Sequence, residues 1–485
     1  MWIETKVSLD FANTKADLPR RLRYVRWMRL CHFLSCLLLS AYFADGAAQK
    51  DLQKIRVARN GRGFVTENGK PFVPFGVSYY RPGTGWAPQV WKKFDAEATR
   101  KDFARMKELG VNCARVFLSY GSFYHEPGVL DTNGLAKFDQ FLAIAEEAGI
   151  HVHPTGPDLW EGPPNWPVGG INDEKTLTAL ETFWRMFAAR YRERHVIFAY
   201  DLRNEPSVGW EELGEQWNLW LQEKNPALKI GATPVPPRKD ALKSRVLLDF
   251  QSFREHLADE WTRRQCAAIK SVDPNALVTI GMIQWSVPSL LPGTVAHYSG
   301  FRPQRQARYL DFLTVHFYPL ADGGYKYRDA ESEERNLAYL ESVVREAKQP
   351  GKPLVLGEFG WYGGEEKPKF NGGQFPPASE AQQARYDREA VETSAAFACG
   401  WLNWGFYDQP EANDCSELTG LVTANGKVKA WGLAFQSLAA SFQDKAVRPK
   451  KTGTRPAMDW NACLSSMAAE KEFREQYFTA FSRHH

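Results

Sequence analysis

The chain has 485 residues, 44% hydrophobic and 24% charged, a composition that can bury a large core and excludes a disordered or fibrous protein. Its formal charge is +4, from 61 basic and 57 acidic residues, and like charges cluster only in an arginine-rich stretch near the N-terminus, so nothing suggests nucleic-acid binding. Aromatic residues make up 13%, and many of the 17 tryptophans fall in stretches that read as loops, where indole faces suit flat ligand surfaces as well as core packing.

Residues 1–48 read as a secretory signal. Arg20, Arg21, Arg23, Arg26 and Arg29 precede an apolar run from Leu30 to Ala44, and Gly46, Ala47 and Ala48 form a small-residue cleavage site before Gln49. Met28 is an alternative start that gives conventional signal proportions. The run is about 15 residues, short of the roughly 18 to 20 that span a bilayer, so a secreted or periplasmic protein with no permanent membrane span is expected. Cys31 and Cys36 fall in this segment. The others, Cys113, Cys266, Cys399, Cys415 and Cys463, are odd in number and widely spaced, unlike a disulfide framework or a CxxC zinc site; a single Cys399–Cys415 bridge stays open.

Ile55 to Phe72 holds two short extended runs with Asn60-Gly61 and Asn68-Gly69 at turns, a hairpin expected to plug the bottom of the domain C-terminal to it. Short β-rich runs then alternate with helical stretches. The eight predicted strands are Phe72–Ser78, Asn112–Leu118, Ile150–Thr155, Val196–Leu202, Leu277–Met282, Phe312–Phe317, Leu354–Glu358 and Trp401–Phe406. The clearest helices are Ala96–Leu109, Leu135–Ala148, Glu174–Tyr191, Phe250–Ser271, Glu333–Lys348 and Glu380–Ala398. The pattern predicts an α/β fold, one (β/α)8 TIM barrel with an N-terminal β-hairpin and enlarged loops, over residues 49–443. An open doubly wound sheet is disfavoured, because no glycine-rich phosphate loop follows the first strand. Leu213 to Ser244, with four prolines, reads as an insertion after the fourth strand. Residues 444–485 form a tail with a short charged helix and no assigned role.

In such a barrel the C-terminal ends of the strands share one mouth. The fourth strand ends in Asp201-Leu202-Arg203-Asn204-Glu205-Pro206 and the seventh in Leu356-Gly357-Glu358-Phe359-Gly360, so two glutamates can face each other there. Glycosidic hydrolysis needs such a pair: a protonated carboxyl for the leaving oxygen and a carboxylate for the charge developing at the anomeric carbon. Every barrel has loop glutamates, and either motif alone is weak; the two together on these strands are specific.

With these motifs the sequence resembles clan A of the glycoside hydrolases and, within it, family 5, the cellulases and β-mannanases, over roughly Lys70 to Ser441. The resemblance implies that Glu205 is the acid/base and Glu358 the nucleophile of a retaining mechanism. It further implies that Asn204 binds the sugar 2-hydroxyl, that Arg115 lies near the nucleophile, that His316 and Tyr318 line subsite −1 with Tyr318 on the nucleophile, and that Trp404 floors that subsite. His153, nearer the end of its strand than His151, is favoured as a sugar contact, with a buried structural histidine as the equal alternative. Asp158, Trp160, Trp285, Trp361 and Tyr362 are candidate subsite walls. The stretch Trp217 to Asp273 resembles instead the corresponding part of family 42 β-galactosidases.

These expectations amount to a secreted retaining β-glycoside hydrolase acting on an oligo- or polysaccharide, β-mannan or β-1,4-glucan first, with no metal or organic cofactor implied. The alternatives are an exo-acting β-galactosidase or β-mannosidase on the same dyad, and a non-catalytic carbohydrate-binding protein. The last is disfavoured because a binder has no need to keep acid and nucleophile together.

Overall fold

The computed structural model describes residues 52–84, 89–209, 244–291, 297–319, 329–364, 367–449 and 451–483, with isolated positions between 213 and 226. The signal segment and most of the insertion after the fourth strand lie outside the described residues. Three short strands, β1 (Ile55–Val57), β2 (Phe64–Thr66) and β3 (Pro71–Phe72), pair antiparallel, so the expected hairpin carries a third strand. Eight strands then close into a parallel barrel: β4 (Phe75–Ser78), β5 (Cys113–Ser119), β6 (His151–Asp158), β7 (Tyr200–Asn204), β8 (Val278–Met282), β9 (Leu313–Phe317), β10 (Leu354–Phe359) and β11 (Trp401–Asn403). Each pairs with the next in sequence, and β11 closes on β4.

The main helices are α1 (Ala96–Glu108), α2 (Thr132–Ala148), α3 (Glu174–Tyr191), α4 (Ser244–Lys270), α5 (Ala330–Lys348), α6 (Glu380–Ser394), α7 (Ala430–Phe442), α8 (Trp460–Ser465) and α9 (Met467–Ser482). Among the described residues none is long and apolar enough to cross a membrane. Their starts follow caps: the Asp95, Asp131, Asp173 and Asp329 carboxylates accept from N–H groups of the first turns of α1, α2, α3 and α5. This is why α2 and α5 begin three residues before the apolar periodicity does.

The floor of the barrel is aromatic. Phe64 of β2 meets Phe198 and Phe312 edge-on at 5.1 Å, and Phe72 meets His151 at the same distance, so the small sheet does plug the bottom. Cys399 belongs to this floor, whereas Cys415 feels the charge of Glu358, and all five cysteines described are free, so the Cys399–Cys415 bridge is not formed. The tail is built into the wall. Arg455 Nε donates to Glu341 Oε1 of α5 at 2.6 Å, Trp460 Nε1 donates to Glu346 Oε2 at 2.8 Å, and the Leu291 N–H, in the loop after β8, donates to Glu470 Oε1 of α9 at 2.9 Å.

Candidate active site

Two β-bulges aim the site. Between Asp201 and Asn204, β7 carries one residue more than β8, which pairs Thr279 and Gly281 with them. Between Leu356 and Glu358, β10 carries one more than β9, which pairs Val315 and His316 with them. An extra residue resets which side chain points inward, so Asp201 and Asn204, three apart, both reach Arg115. At the second bulge only glycine fits: a Cβ on Gly357 would collide with the Thr314 methyl. Gly281 is needed for the same reason, since its Cβ would lie 2.8 Å from His316 Nε2. Glu205 itself has φ 44°, left-handed backbone that a non-glycine residue adopts at a cost of order 1–3 kcal/mol. Its N–H is tied to the Gly281 carbonyl at 2.8 Å.

Arg115, fully buried on β5, is the hub. Nη2 donates to Asp201 Oδ2 at 3.0 Å and to Asn204 Oδ1 at 2.9 Å, and Nη1 donates to Glu358 Oε1. The bond to Asn204 fixes its amide and leaves the NH2 as the donor for a ligand. Asp201 is held in turn by the Thr155 hydroxyl at 3.0 Å and the Gly281 N–H at 2.7 Å. Tyr318 Oη donates to the other Glu358 oxygen at 2.8 Å. His316 Nδ1 lies 3.0 Å from Glu205 Oε1 and 3.4 Å from Glu358 Oε1. Burial pushes His316 down to about 4, so the imidazole is neutral. Its single proton is assigned to Nδ1, which faces the two carboxyl groups.

Carboxylate oxygens of Glu205 and Glu358 and a ring nitrogen of His316 lie within 4.8 Å of one another. Burial raises both glutamates, Glu205 to about 7 with only Arg115 opposing it. For Glu358 the burial is opposed by His316, by Arg115 in direct contact and by the Tyr318 hydroxyl, while the charge of Glu205 adds to it. The two titrate as a coupled pair. The guanidinium and the phenol on Glu358 favour its anion, and Glu205 has only the more distant charge of Arg115 to do so. The triad of carboxylates and imidazole also has the ligand types of a metal site. Both Glu358 oxygens are already engaged, however, and a divalent cation would sit against a guanidinium, so these residues fit proton and glycosyl transfer better.

Trp404 is 8% exposed, its Nε1 donating to Ser416 Oγ at 2.7 Å and its ring packed near Tyr80 and edge-on to Phe117. Arg115, Asn204, Glu205, His316, Tyr318 and Glu358 thus converge, and Trp404 borders them. His153 does not join them. It lies in the barrel interior, its Nδ1 against the Ala199 carbonyl at 2.8 Å and its ring beside Phe198 and Phe312 of the floor; it is a core histidine, pushed down to about 4 by burial. Tyr362 is also internal, packed on Phe370 and Phe375 with its hydroxyl on the Pro376 carbonyl. Asp158 pairs with Arg203 at 3.5 Å, and Trp285 packs edge-on to His297. Sequence reasoning passed over Asp201, although its place two residues before Arg203 in the same motif was visible.

A family model described as Cellulase (glycosyl hydrolase family 5) matches residues 65–409. The mannan endo-1,4-beta-mannosidase F of Aspergillus clavatus is 21% identical over 332 residues, 61% of this chain and 64% of that protein, so the chain spans less than two thirds of that relative's length. Among solved structures, the exo-beta-1,4-mannosidase Op5Man5 from Opitutaceae bacterium strain TAV5 is similar with a TM-score of 0.60 at 19% identity, over 83% of this chain and 66% of that one. A GH5_18 protein from Streptomyces cattleya, in complex with Manb1-4GlcNAc, is similar with a TM-score of 0.60 at 18% identity, over 85% and 92%. At such identities the two structures speak for the fold.

Proposed function

The chain belongs to glycoside hydrolase family 5, and from that membership and the geometry of its mouth we infer that it hydrolyses β-glycosidic bonds of a β-linked oligo- or polysaccharide with retention of configuration. The observation that carries this reading is the approach of Glu205 and Glu358, one oxygen of each lying within 4.8 Å of the other, with the same His316 Nδ1 at 3.0 Å from Glu205 and 3.4 Å from Glu358. Retaining pairs stand about 5–5.5 Å apart, whereas inverting pairs need roughly 6.5–9.5 Å to admit a water.

In the proposed reaction Glu358, ionised between Arg115 and Tyr318, attacks the anomeric carbon while Glu205 gives its proton to the leaving oxygen. The glycosidic bond breaks and an ester to Glu358 forms. Glu205, now a carboxylate, takes a proton from water; the water oxygen attacks the anomeric carbon, and the ester bond returns its electrons to Glu358. Neutral His316 bridges the two carboxyl groups and donates to whichever is the anion. The Asn204 NH2 is the donor for the 2-hydroxyl, and Trp404 is the apolar surface beneath the sugar.

The mannanase relative favours β-mannan over β-1,4-glucan as the substrate. Export follows from residues 1–48 and is part of the same proposal. Two measurements test it. Proton NMR of the first product released from a 4-nitrophenyl β-glycoside reports configuration, and an inverted product would refute the mechanism. Glu358→Ala is expected to abolish turnover on every substrate; near-normal activity would remove the nucleophile assignment. Product lengths from β-mannan then separate endo action, which gives a ladder of oligomers, from exo action, which gives monosaccharide alone.

A further inference from the structure

Tyr318 stands just past the end of β9 and just before Pro319, beyond the reach of the barrel ladder. One side chain takes both of its main-chain polar groups. The Tyr318 N–H donates to Gln284 Oε1 at 2.7 Å, and Gln284 Nε2 donates back to the Tyr318 carbonyl at 3.1 Å. Gln284 is 4% exposed and opens the short turn Gln284–Ser286 that follows β8, the neighbour of β9. Its remaining amide hydrogen reaches Tyr339 Oη of α5 at 3.4 Å, and that hydroxyl donates to the Leu290 carbonyl at 3.3 Å. With its oxygen on an N–H and its nitrogen on two oxygens, the amide has one workable orientation. It stands in for the strand residue that would otherwise extend the sheet by one step.

We propose that Gln284 is a positioning residue for the nucleophile: by completing the sheet with its side-chain amide, it holds the Tyr318 backbone where the phenol meets Glu358 Oε2. The proposal rests on the reading of Glu358 as the nucleophile. A leucine at 284 leaves the Tyr318 N–H and carbonyl unpaired inside the protein, and a glutamate sets an anion against the carbonyl unless it is protonated.

The test is a double-mutant cycle on the 4-nitrophenyl β-glycoside turned over fastest, with kcat, KM and the pH profile of kcat/KM measured for Gln284→Leu and Gln284→Glu, each in the wild-type and Tyr318→Phe backgrounds. Gln284→Leu is expected to lower kcat/KM about tenfold or more, mainly through kcat, and to move the acidic limb up in pH, because Glu358 loses a well-placed donor. In the Tyr318→Phe background it is expected to add nothing. Gln284→Glu is expected to recover towards wild type, compared at equal pH, where the new carboxyl is protonated and can donate to the Tyr318 carbonyl. It also serves as the readout if Gln284→Leu fails to fold. Losses that multiply with those of Tyr318→Phe, or that fall on KM alone, overturn the proposal. If Tyr318→Phe is itself silent, the role of Gln284 fails while the assignment of Glu358 rests on Glu358→Ala: an inactive Glu358→Ala keeps the nucleophile and overturns only Gln284, an active one overturns both; if Tyr318→Phe is impaired and the losses multiply, only the role of Gln284 fails.

Discussion

Glu205 is built to hold a proton, and that has a measurable effect on folding. Burial raises its carboxyl from 4.5 to about 7. At 1.36 kcal/mol per tenfold change in proton affinity, the difference is about 3 kcal/mol. The folded state binds this proton more tightly than the unfolded state does. The proton's contribution is therefore fully present below about pH 4.5, declines as the pH rises towards 7 and is lost above it, a total change of about 3 kcal/mol. Glu205→Gln keeps the shape, the left-handed backbone and an oxygen for His316, but has no charge to bury. Wild type and E205Q should be equally stable near pH 4, with the variant gaining up to about 3 kcal/mol at pH 8. The unfolding entropy of a chain of this length is about 1 kcal/mol per kelvin, so the gain is roughly 3 °C in Tm. Thermal and urea unfolding of both proteins from pH 4 to 8 is the assay. A difference that does not change with pH, or one that favours wild type at pH 8, would refute the assignment of a raised, proton-holding Glu205.

The same carboxyl should set the basic limb of kcat/KM near pH 7; that limb should vanish in Glu205→Ala on an aryl glycoside whose leaving group needs no proton, and its persistence there would assign it to another group. Gly357→Ala is expected to lower kcat/KM more than tenfold by driving a Cβ into the Thr314 methyl and displacing Glu358. Thr314→Ser, which removes that methyl and keeps the hydroxyl that meets Thr279, should restore part of the loss in kinetic assays; no rescue would mean that the bulge tolerates a side chain. Arg455→Met leaves Glu341 buried without its guanidinium and is expected to destabilise the protein by about 3–5 kcal/mol in urea titrations while kcat of the folded fraction stays near normal. A selective loss of kcat would show that the tail acts on the site.

The barrel was legible in the sequence because β-rich runs and helical periods alternate along the chain on both sides of the one proline-rich insertion, and the dyad because Asn204-Glu205 and Glu358 sit where two such runs stop. Arg115, Asn204, His316, Tyr318 and Trp404 came with the family resemblance; Arg115, His316 and Tyr318 meet the two glutamates, Asn204 is held by Arg115, and Trp404 packs against Tyr80 and Phe117. For His153 the structure takes the second of the two readings, the buried histidine: the period of two assigns a side chain to the interior of a barrel but not to a height within it, and one layer lower the interior is sealed by phenylalanines. The bulges left no trace that a strand pattern can show, for an extra residue looks like a longer strand until its partner is known. Gln284 was silent for the same reason, since its work is done on the backbone of a residue from another strand. Helix starts slipped by three residues where an aspartate cap lay ahead of the first apolar position, as before α2 and α5.

The plug beneath the barrel bears on how such a protein can change. Phe64, near the start of the described chain, closes against Phe198 and Phe312, so architecture is locked at the floor by residues at the opposite end of the barrel from Glu205 and Glu358. The mouth carries the chemistry on bulges and loops, and lengthening a loop is entropically mild: doubling one adds only about 0.6 kcal/mol to the closure cost. Loops around Glu205 and Glu358 can therefore be exchanged, extended or trimmed against a foundation that does not register the change, and selection for a different sugar can proceed at one end of the barrel while the other end keeps the fold.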